Sequence, residues 1–528
     1  MMCALLVAGL ADCERSMPSS GTSNVTRENP ASPPAAQASL EPEAKQRPTA
    51  AERTSHSLQP ASPSASIRYP SGLVHSPLTP GVVAKLKAIR RSAQRQANRF
   101  IKVGDSITSN PLYMGCFTNG EPRNDAKHSF IEDLVAYFGP AGGHASHDPF
   151  TRESLAARAG VDAEWVVTGG PKSPLVQEID AMNPAYALMM FGTNTVSRGG
   201  STDGKLDGVK LVYHFKYHWQ ALNLLLERGV IPILMTAPPN RTTPRSEYII
   251  GELNRVVRAL AEYHQVPLVD FHHAASAAPH FGLWRASDGN LDVHPSACGN
   301  GCDFSASGLE CGINIRNLLS MQALARLKRV LDDGQPAPDA LTAESTPRLS
   351  GSGTKNAPYQ IQSLPFIDLR RFDSAHRSAL SDYGGCKREA AQAFNPVKKQ
   401  GPEVVYQLKL QQEKRLSIAL LTAEAEGLGE DASPAHRQLF LLKGEPNGEH
   451  CLAFRHTLLQ NTFSPGTYYL VVDSEASAQS GAKSATQLAS ETPFALLISE
   501  CPADDPACEP HDFISVGPPA TNDPAANW

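Results

Sequence analysis

Phe100-Ile101-Lys102-Val103-Gly104-Asp105-Ser106 is a short apolar run that stops abruptly at a glycine, an acid and a serine. A strand ending in Gly-Asp-Ser holds one hydroxyl above the end of a sheet, where ligands of open α/β sheets bind. Ser106 is therefore the candidate nucleophile. A serine hydroxyl is weak by itself, so the rest of the chain has to supply an adjacent base and donors for the oxyanion that forms on attack.

Upstream, Pro80-Gly81 opens a run with Val83, Leu86 and Ile89 at helical spacing, which feeds this strand. Downstream, the pattern predicts strands at 165–167, 186–191, 230–236 and 266–271, and helices at 213–227, 247–264 and 313–331. The last helix carries Ile315, Leu318, Leu319, Leu324 and Leu327 on the face that would meet a sheet. Such alternation predicts an α/β fold over residues 80–333, a parallel sheet covered by helices on both faces. A Pro, Ala, Ser, Thr and Gly linker at 334–356 follows. Beyond it, runs at 404–410, 416–421, 438–442, 467–472 and 494–498 are short, β-rich and divided by turn residues, so residues 357–510 should form an all-β sandwich before a disordered tail at 511–528.

With 528 residues and 41% hydrophobic content, the chain is long enough for two folded units with real cores. A balance of 48 basic against 53 acidic residues, net −5, gives no general attraction to nucleic acid or anionic membranes, and no basic cluster or stacking array points to a nucleic-acid partner. Residues 1–13 are apolar but too short to span a bilayer, and they read as the h-region of a secretion signal without a basic start. Leu10-Ala11-Asp12-Cys13 resembles a bacterial lipobox, which implies lipidation of Cys13, although Asp12 stands where Gly or Ala is preferred. The only membrane contact expected is through that lipid. Residues 14–79, rich in Ser, Pro, Ala, Thr and Glu, are expected to be a disordered tether.

Setting Cys3 and Cys13 aside leaves eight cysteines, an even number that fits disulfides in an oxidising compartment. Cys298, Cys302 and Cys311 also have the look of zinc ligands, but His294 is the one candidate for a fourth, so local disulfides are the better reading. Cys386 with Cys451, and Cys501 with Cys508, are plausible bridges in the sandwich. His214, His218, His272 and His273 read as helix-face or loop residues, not ligands.

Three further stretches complete the chemistry. Asn194, in Phe191-Gly192-Thr193-Asn194, follows a strand and can point an amide N–H into the crevice above the sheet; Gly160 lies in the intervening loop, with Gly169-Gly170 competing for its role; and His294, in Asp292-Val293-His294-Pro295, precedes the last helix. Together these stretches resemble the SGNH (GDSL-type) hydrolase family, whose blocks are a Gly-Asp-Ser, a loop Gly, a Gly-x-Asn and an Asp-x-x-His. The resemblance covers about half the chain and implies a flavodoxin-like three-layer fold and ester or amide hydrolysis without a metal or other cofactor. It also implies that Ser106 is the nucleophile, His294 the general base, and the Ser106 N–H, the Gly160 N–H and the Asn194 side chain the oxyanion donors. Two departures stand out. Thr195 replaces a frequent Asp, and Leu291, three residues before His294, replaces the triad acid. Asp292 and Asp288 are the candidates for that acid, with a slight preference for Asp292, whose carboxylate can reach the ring without a bulge.

In the C-terminal part, Ser464-Pro465-Gly466-Thr467-Tyr468-Tyr469-Leu470-Val471-Val472-Asp473 resembles the final hairpin of bacterial pre-peptidase C-terminal-type sandwiches, which accompany secreted enzymes. Tyr468 and Tyr469 should point to opposite faces, so at most one belongs to the core. The expected function is a secreted or envelope-tethered serine esterase acting on acyl, for instance acetyl, esters of a carbohydrate or small molecule, with a cell-surface polysaccharide as a partner. The competing expectation, motivated by Leu291 and the attached sandwich, is a catalytically impaired SGNH-fold protein that binds surface glycans.

Overall fold

The structure is a computed structural model. It describes residues 67–119, 128–139, 147–197, 205–342, 349–373, 376–380, 382–383, 386, 401–423, 437–455, 458–474 and 492–502. The signal-like start, Cys13, the tether as far as residue 66, Cys508 and the tail lie outside the described residues.

In the first part, α1 (Pro80–Arg91), β1 (Gln96–Gly104) and α2 (Ser106–Ser109) are followed by α3 (Phe130–Phe138), α4 (Ala163–Val167) and α5 (Pro174–Met182). Then come β2 (Pro184–Met190), α6 (Thr193–Ser197), α7 (Lys205–Glu227), β3 (Ile231–Met235), α8 (Pro244–His264), β4 (Leu268–Val269) and α9 (Phe271–Ser276). The hairpin β5 (Leu283–Arg285) and β6 (Leu291–Pro295) precedes α10 (Gly312–Leu331). The helix starts obey local chemistry: Thr79 caps α1 through Val82 N, Pro80 takes the first helical position, and Val82, Val83, Leu86 and Ile89 turn inward.

Strands β1 to β4 form one parallel sheet in the order β1-β2-β3-β4. On the free edge of β1, residues 156–158 add a strand-like segment: Gly104 N donates to Ala156 O at 3.0 Å, and Arg158 N donates to Gly104 O at 3.1 Å. With that segment counted, the order is the flavodoxin-like one. Every residue of β2 is buried, as a central parallel strand requires. Helix α10 touches both α1 and α3, and α7 touches both α4 and α8 as the second group.

Two expectations are corrected here. Residues 165–167 are helical, not a strand: Asp162 caps α4 through Glu164 N, and that cap outweighs the β preference of Val166 and Val167, while the sheet edge goes to 156–158. The tether was expected to run to residue 79, yet Ile67 and Tyr69 are buried, Tyr69 Oη donates to Val266 O at 2.8 Å, and His75 bridges Val269 beside β4. The beginning of the 334–356 linker is tied down as well, since Asp339 accepts Leu78 N at 2.7 Å and pairs with Arg326.

The second part contains β7 (Tyr359–Ile361), β8 (Phe366–Arg370), β9 (Glu403–Leu410), β10 (Lys414–Thr422), β11 (Arg437–Lys443), β12 (Cys451–Arg455), β13 (Leu458–Phe463), β14 (Gly466–Ser474) and β15 (Phe494–Glu500). They form two sheets, β13-β10-β15-β8 and β12-β11-β14-β9-β7, antiparallel except for β7 against β9. Tyr468 and Tyr469 do point to opposite faces, but both are buried: Tyr468 lies between the sheets, and Tyr469 lies under Leu380 and Tyr383 on the outer face. The Cys386–Cys451 disulfide closes that outer cover.

Strands β10 and β15 are apolar on both faces. Leu416, Ile418, Leu420, Phe494, Leu496 and Ile498 fill the sandwich, whereas Ala419, Leu421, Ala495 and Leu497 pack into the hydrophobic core of the α/β part, against α7 and α8. Tyr248 Oη and Ser499 Oγ hydrogen-bond across this seam at 3.1 Å. Two further disulfides, Cys116–Cys302 and Cys298–Cys311, stitch the α/β part, and Cys501 is disulfide-bonded too. Cys302 therefore pairs over a separation of 186 residues and not locally, because its loop folds back onto the segment after α2. Disulfides in this number belong to an oxidising compartment. Among the described residues no helix is long and apolar enough to cross a membrane.

A charge in the seam should weaken both parts together. Leu421→Asp or Leu497→Asp, each placing an unpaired carboxylate at a position no more than 1% exposed, is expected to lower stability by about 3 kcal/mol or more. In calorimetry the α/β and sandwich parts should melt at a common lowered temperature; an unchanged α/β transition would contradict the shared core.

Candidate active site

Gly104 ends β1 where no side chain fits: a Cβ there would lie 2.2 Å from Thr108 Oγ1 and 2.6 Å from Met190 O. The chain then turns, and Asp105 caps α2 by accepting Ile107 N at 3.0 Å, which leaves Ser106 as the first helical residue above the sheet end. Asp105 is fully buried, and burial pushes its carboxyl up to about 6, against the hydrogen bond from Ile107 and the charge of Arg316. Beneath α2, the buried Arg316 of α10 donates to Ile107 O at 2.7 Å and to Thr108 Oγ1 at 2.8 Å, with its guanidinium over the Tyr113 ring.

His294 arrives from the opposite side on β6. Its Nε2 lies 2.9 Å from Ser106 Oγ, and its Nδ1 lies 2.6 Å from Asp292 Oδ1, which also accepts the His294 backbone N–H at 2.8 Å. With Nδ1–H donated to Asp292, Nε2 is the acceptor for the serine proton. Slight burial raises the Asp292 carboxyl, but the hydrogen bonds from the His294 ring and backbone outweigh it and hold the group below the usual carboxylate range. The bulge-free route expected for Asp292 is not the one taken: the hairpin register slips, with Leu283 opposite Pro295 and Arg285 opposite Leu291, so Asp292-Val293-His294 bulges against the single residue Trp284. Asp288 turns away and accepts both Asn290 N and Asn290 Nδ2 at the hairpin tip.

Asn194 stands near the start of α6, after β2, and its Nδ2 donates to Val161 O at 2.8 Å, binding its own loop to the residue after Gly160 and leaving its second amide hydrogen for another acceptor. Gly160 itself is exposed with φ +75, two residues past the Arg158 N–H that bonds Gly104 O. That loop is set by Glu178 of α5, which pairs with Arg152 and accepts Leu155 N at 3.0 Å. Gly169 and Gly170 lie beyond α4, on the far side of that helix in sequence. Thr195 is buried in α6. His214 and His218 are buried in α7, while His272 faces Glu247 from α9. Cys298, Cys302 and Cys311 are all spent in disulfides.

Sequence reasoning missed the part played by α10. Asn317 Oδ1 accepts Met114 N, and its Nδ2 donates to Leu112 O and Gly301 O; Asn314 bonds Cys298 N, Cys298 O and Asp303 O. Asn314, Asn317 and Ser320 recur every third residue on a helix otherwise read for its leucines, and that polar stripe was the available signal. These bonds and the Cys116–Cys302 disulfide join the segment ten residues after Ser106 to the one eight residues after His294.

Two measurements follow from this geometry. The folded protein keeps a proton on Asp105 that the unfolded chain releases, so this group's contribution to stability is complete below about pH 4 and is lost as pH rises through about 6. Asp105→Asn, which preserves the cap, should flatten that segment of the stability–pH curve by about 3 kcal/mol in urea titrations; a curve of unchanged slope would refute it. Cys302→Ser should destabilise the protein by about 2–5 kcal/mol in the same titration, since its disulfide closes a very long loop.

Residues 103–301 match the model of the GDSL-like lipase/acylhydrolase family. A search of curated proteins matched none. Among solved structures, the chain resembles a lipase/acylhydrolase from Enterococcus faecalis at 17% identity, covering 46% of this chain and 99% of that one with a TM-score of 0.28. It also resembles an acetyl xylan esterase from Geobacillus stearothermophilus at 18% identity, covering 43% and 94% with a TM-score of 0.28. The pre-peptidase C-terminal domain of collagenase from Bacillus anthracis is matched at 14% identity over 26% of this chain and 92% of that one, with a TM-score of 0.15. The Gly-Asp-Ser turn, the Asn-bearing loop and the histidine hairpin thus belong to a domain of the GDSL-like lipase/acylhydrolase family, which this chain carries at residues 103–301.

Proposed function

We propose that the protein is a serine esterase that cleaves short acyl esters of carbohydrates or other small hydrophilic alcohols by way of an acyl-enzyme. The observation that carries this is the unbroken hydrogen-bond chain Asp292–His294–Ser106. Ser106 Oγ attacks the ester carbonyl carbon while its proton passes to His294 Nε2, and the carbonyl electron pair moves onto oxygen. The Ser106 N–H, the Gly160 N–H and the free amide hydrogen of Asn194 receive that oxyanion. Collapse breaks the bond to the alcohol, which takes the proton from His294; water, activated by the same ring, then releases the acid and restores Ser106. Asp292 keeps the ring in the tautomer that can do this and steadies the imidazolium.

The choice of a short acyl group and a hydrophilic alcohol is supported by the openness of the site, where the side chains of His294 and Asp292 are 45% and 39% exposed. A long acyl chain gains from an enclosing apolar wall, whereas among the described residues these two side chains stand nearly half open to water. The competing glycan-binding reading rested on Leu291 and the attached sandwich; on the first of these, the Asp292 carboxylate supplies the contact that Leu291 cannot. The disulfides, taken with the lipobox-like Cys13, support export to the cell envelope.

Ser106→Ala should abolish turnover of ethyl acetate and labelling by a fluorophosphonate, and Asp292→Asn should reduce kcat by roughly 10³–10⁴-fold. Asp288→Asn should stay within about threefold of the parent. Turnover by Ser106→Ala at the parental rate would remove the nucleophile assignment, and a loss at Asp288 equal to that at Asp292 would remove the assignment of the acid.

A further inference from the structure

Trp284 is the one aromatic among the exposed large apolar side chains of the described residues, at 52% exposure. It occupies the middle of β5, where the register sets it against the Asp292-Val293-His294 bulge. Its neighbour Leu283 and that residue's partner Pro295 are both buried, so alternation along each strand turns Trp284 and His294 away from the core together. A single exposed apolar side chain is ordinary on a protein surface; what distinguishes Trp284 is its place directly opposite the Asp292-Val293-His294 bulge.

The backbone leading into β5 is strained to put it there. His280 and Phe281 are consecutive non-glycine residues with φ of +52 and +60, each about 1–2 kcal/mol above a right-handed conformation. Arg241 lies over the Phe281 ring at 4.0 Å and holds that turn. At the other end of the hairpin, Arg285 Nε bonds Gly289 O at 3.2 Å, and Asp288 and Asn290 lie exposed beside it. The indole therefore presents an exposed apolar surface on a hairpin whose tip carries the exposed polar residues Asp288 and Asn290.

We propose that Trp284 is the platform for the sugar ring that carries the ester, the C–H face of a pyranose lying on the indole while its hydroxyl rim meets water and the hairpin's polar side chains. This inference rests on the esterase reading and names the alcohol side of its substrate. An acyl chain is the poorer occupant, because it is apolar all round and a single open ring covers one side of it. A pyranose has one apolar face to cover and hydroxyls that need to stay wet, which matches a half-exposed indole. Trp284 acts here as a positioning residue: it sets where the sugar sits, so its contribution falls on binding and on the choice between alcohols.

The test compares 6-O-acetylglucose, which keeps its ring hydroxyls free, with ethyl acetate. In the parent, kcat/KM should favour the sugar ester. Trp284→Ala should lower the ratio of the two kcat/KM values at least tenfold, mainly through a higher KM for the sugar ester, and Trp284→Phe should recover the ratio to within about threefold. In a Ser106→Ala background, 6-O-acetylglucose should quench indole fluorescence, and in Ser106→Ala/Trp284→Ala it should not. Equal losses on both esters would mean that Trp284 only supports His294, and an unchanged ratio would mean that it touches neither substrate; either result overturns the proposal. A parent that hydrolyses ethyl acetate without preferring the sugar ester overturns it too and leaves the esterase reading standing, whereas hydrolysis of neither ester brings down both.

Discussion

Ser106 and His294 are separated by 188 residues, and the 2.9 Å bond between them exists because α10 is tied to both of their loops. This one helix carries Arg316 to the carbonyl of Ile107, Asn317 to the backbone of Leu112, Met114 and Gly301, and Asn314 to Cys298 and Asp303. These polar groups are buried, so each lost partner would leave a desolvated donor or acceptor at a cost of about 1–3 kcal/mol. Such a network tolerates few alternative arrangements. The disulfide Cys116–Cys302 spans the same two segments covalently. The proposed chemistry at the sheet end thus depends on a helix that contributes no reacting atom.

A second constraint comes from the far side of the α/β part. Helices α7 and α8 would present an apolar surface to water if β10 and β15 did not cover it, and those strands alternate their side chains between two cores. The sandwich is therefore a structural layer of the same unit and not a separate body on a string. The sandwich packs on α7 and α8, whereas Ser106 and Asn194 follow the carboxyl ends of β1 and β2 and His294 reaches Ser106 from the β5–β6 hairpin.

The parts of the fold that could be read from residues alone are those with a long period and a clean stop. The runs at 186–191, 230–236 and 494–498, and the helices ending at His264 and Leu331, were legible because burial on both faces or on one stripe leaves a pattern. Gly-Asp-Ser was legible because the turn needs a residue without a Cβ at 104 and a capping acid at 105. What misled was short range against long range. Trp165-Val166-Val167 has β-forming side chains, but three residues cannot outweigh the Asp162 cap. The partner of Cys302 could not be read because it depends on which loop folds over which, and no local spacing encodes that. Ile67 and Tyr69 sit in polar, Pro-rich sequence, and only the groove beside β4 gives them a place.

The displacement of the acid by one residue has a physical consequence of its own. Asp292 and His294 share a bulge, and the carboxylate is fixed twice over, by the ring N–H and by the backbone N–H of the residue it serves. The proposed acid and base consequently travel as one piece with the β5–β6 hairpin. An acid supplied from another loop would require two tertiary distances to be held within a few tenths of an ångström. Here the acid–base distance is set by covalent chain, and the single tertiary distance left to maintain is that between the hairpin and α2, the one that α10 and its disulfide secure.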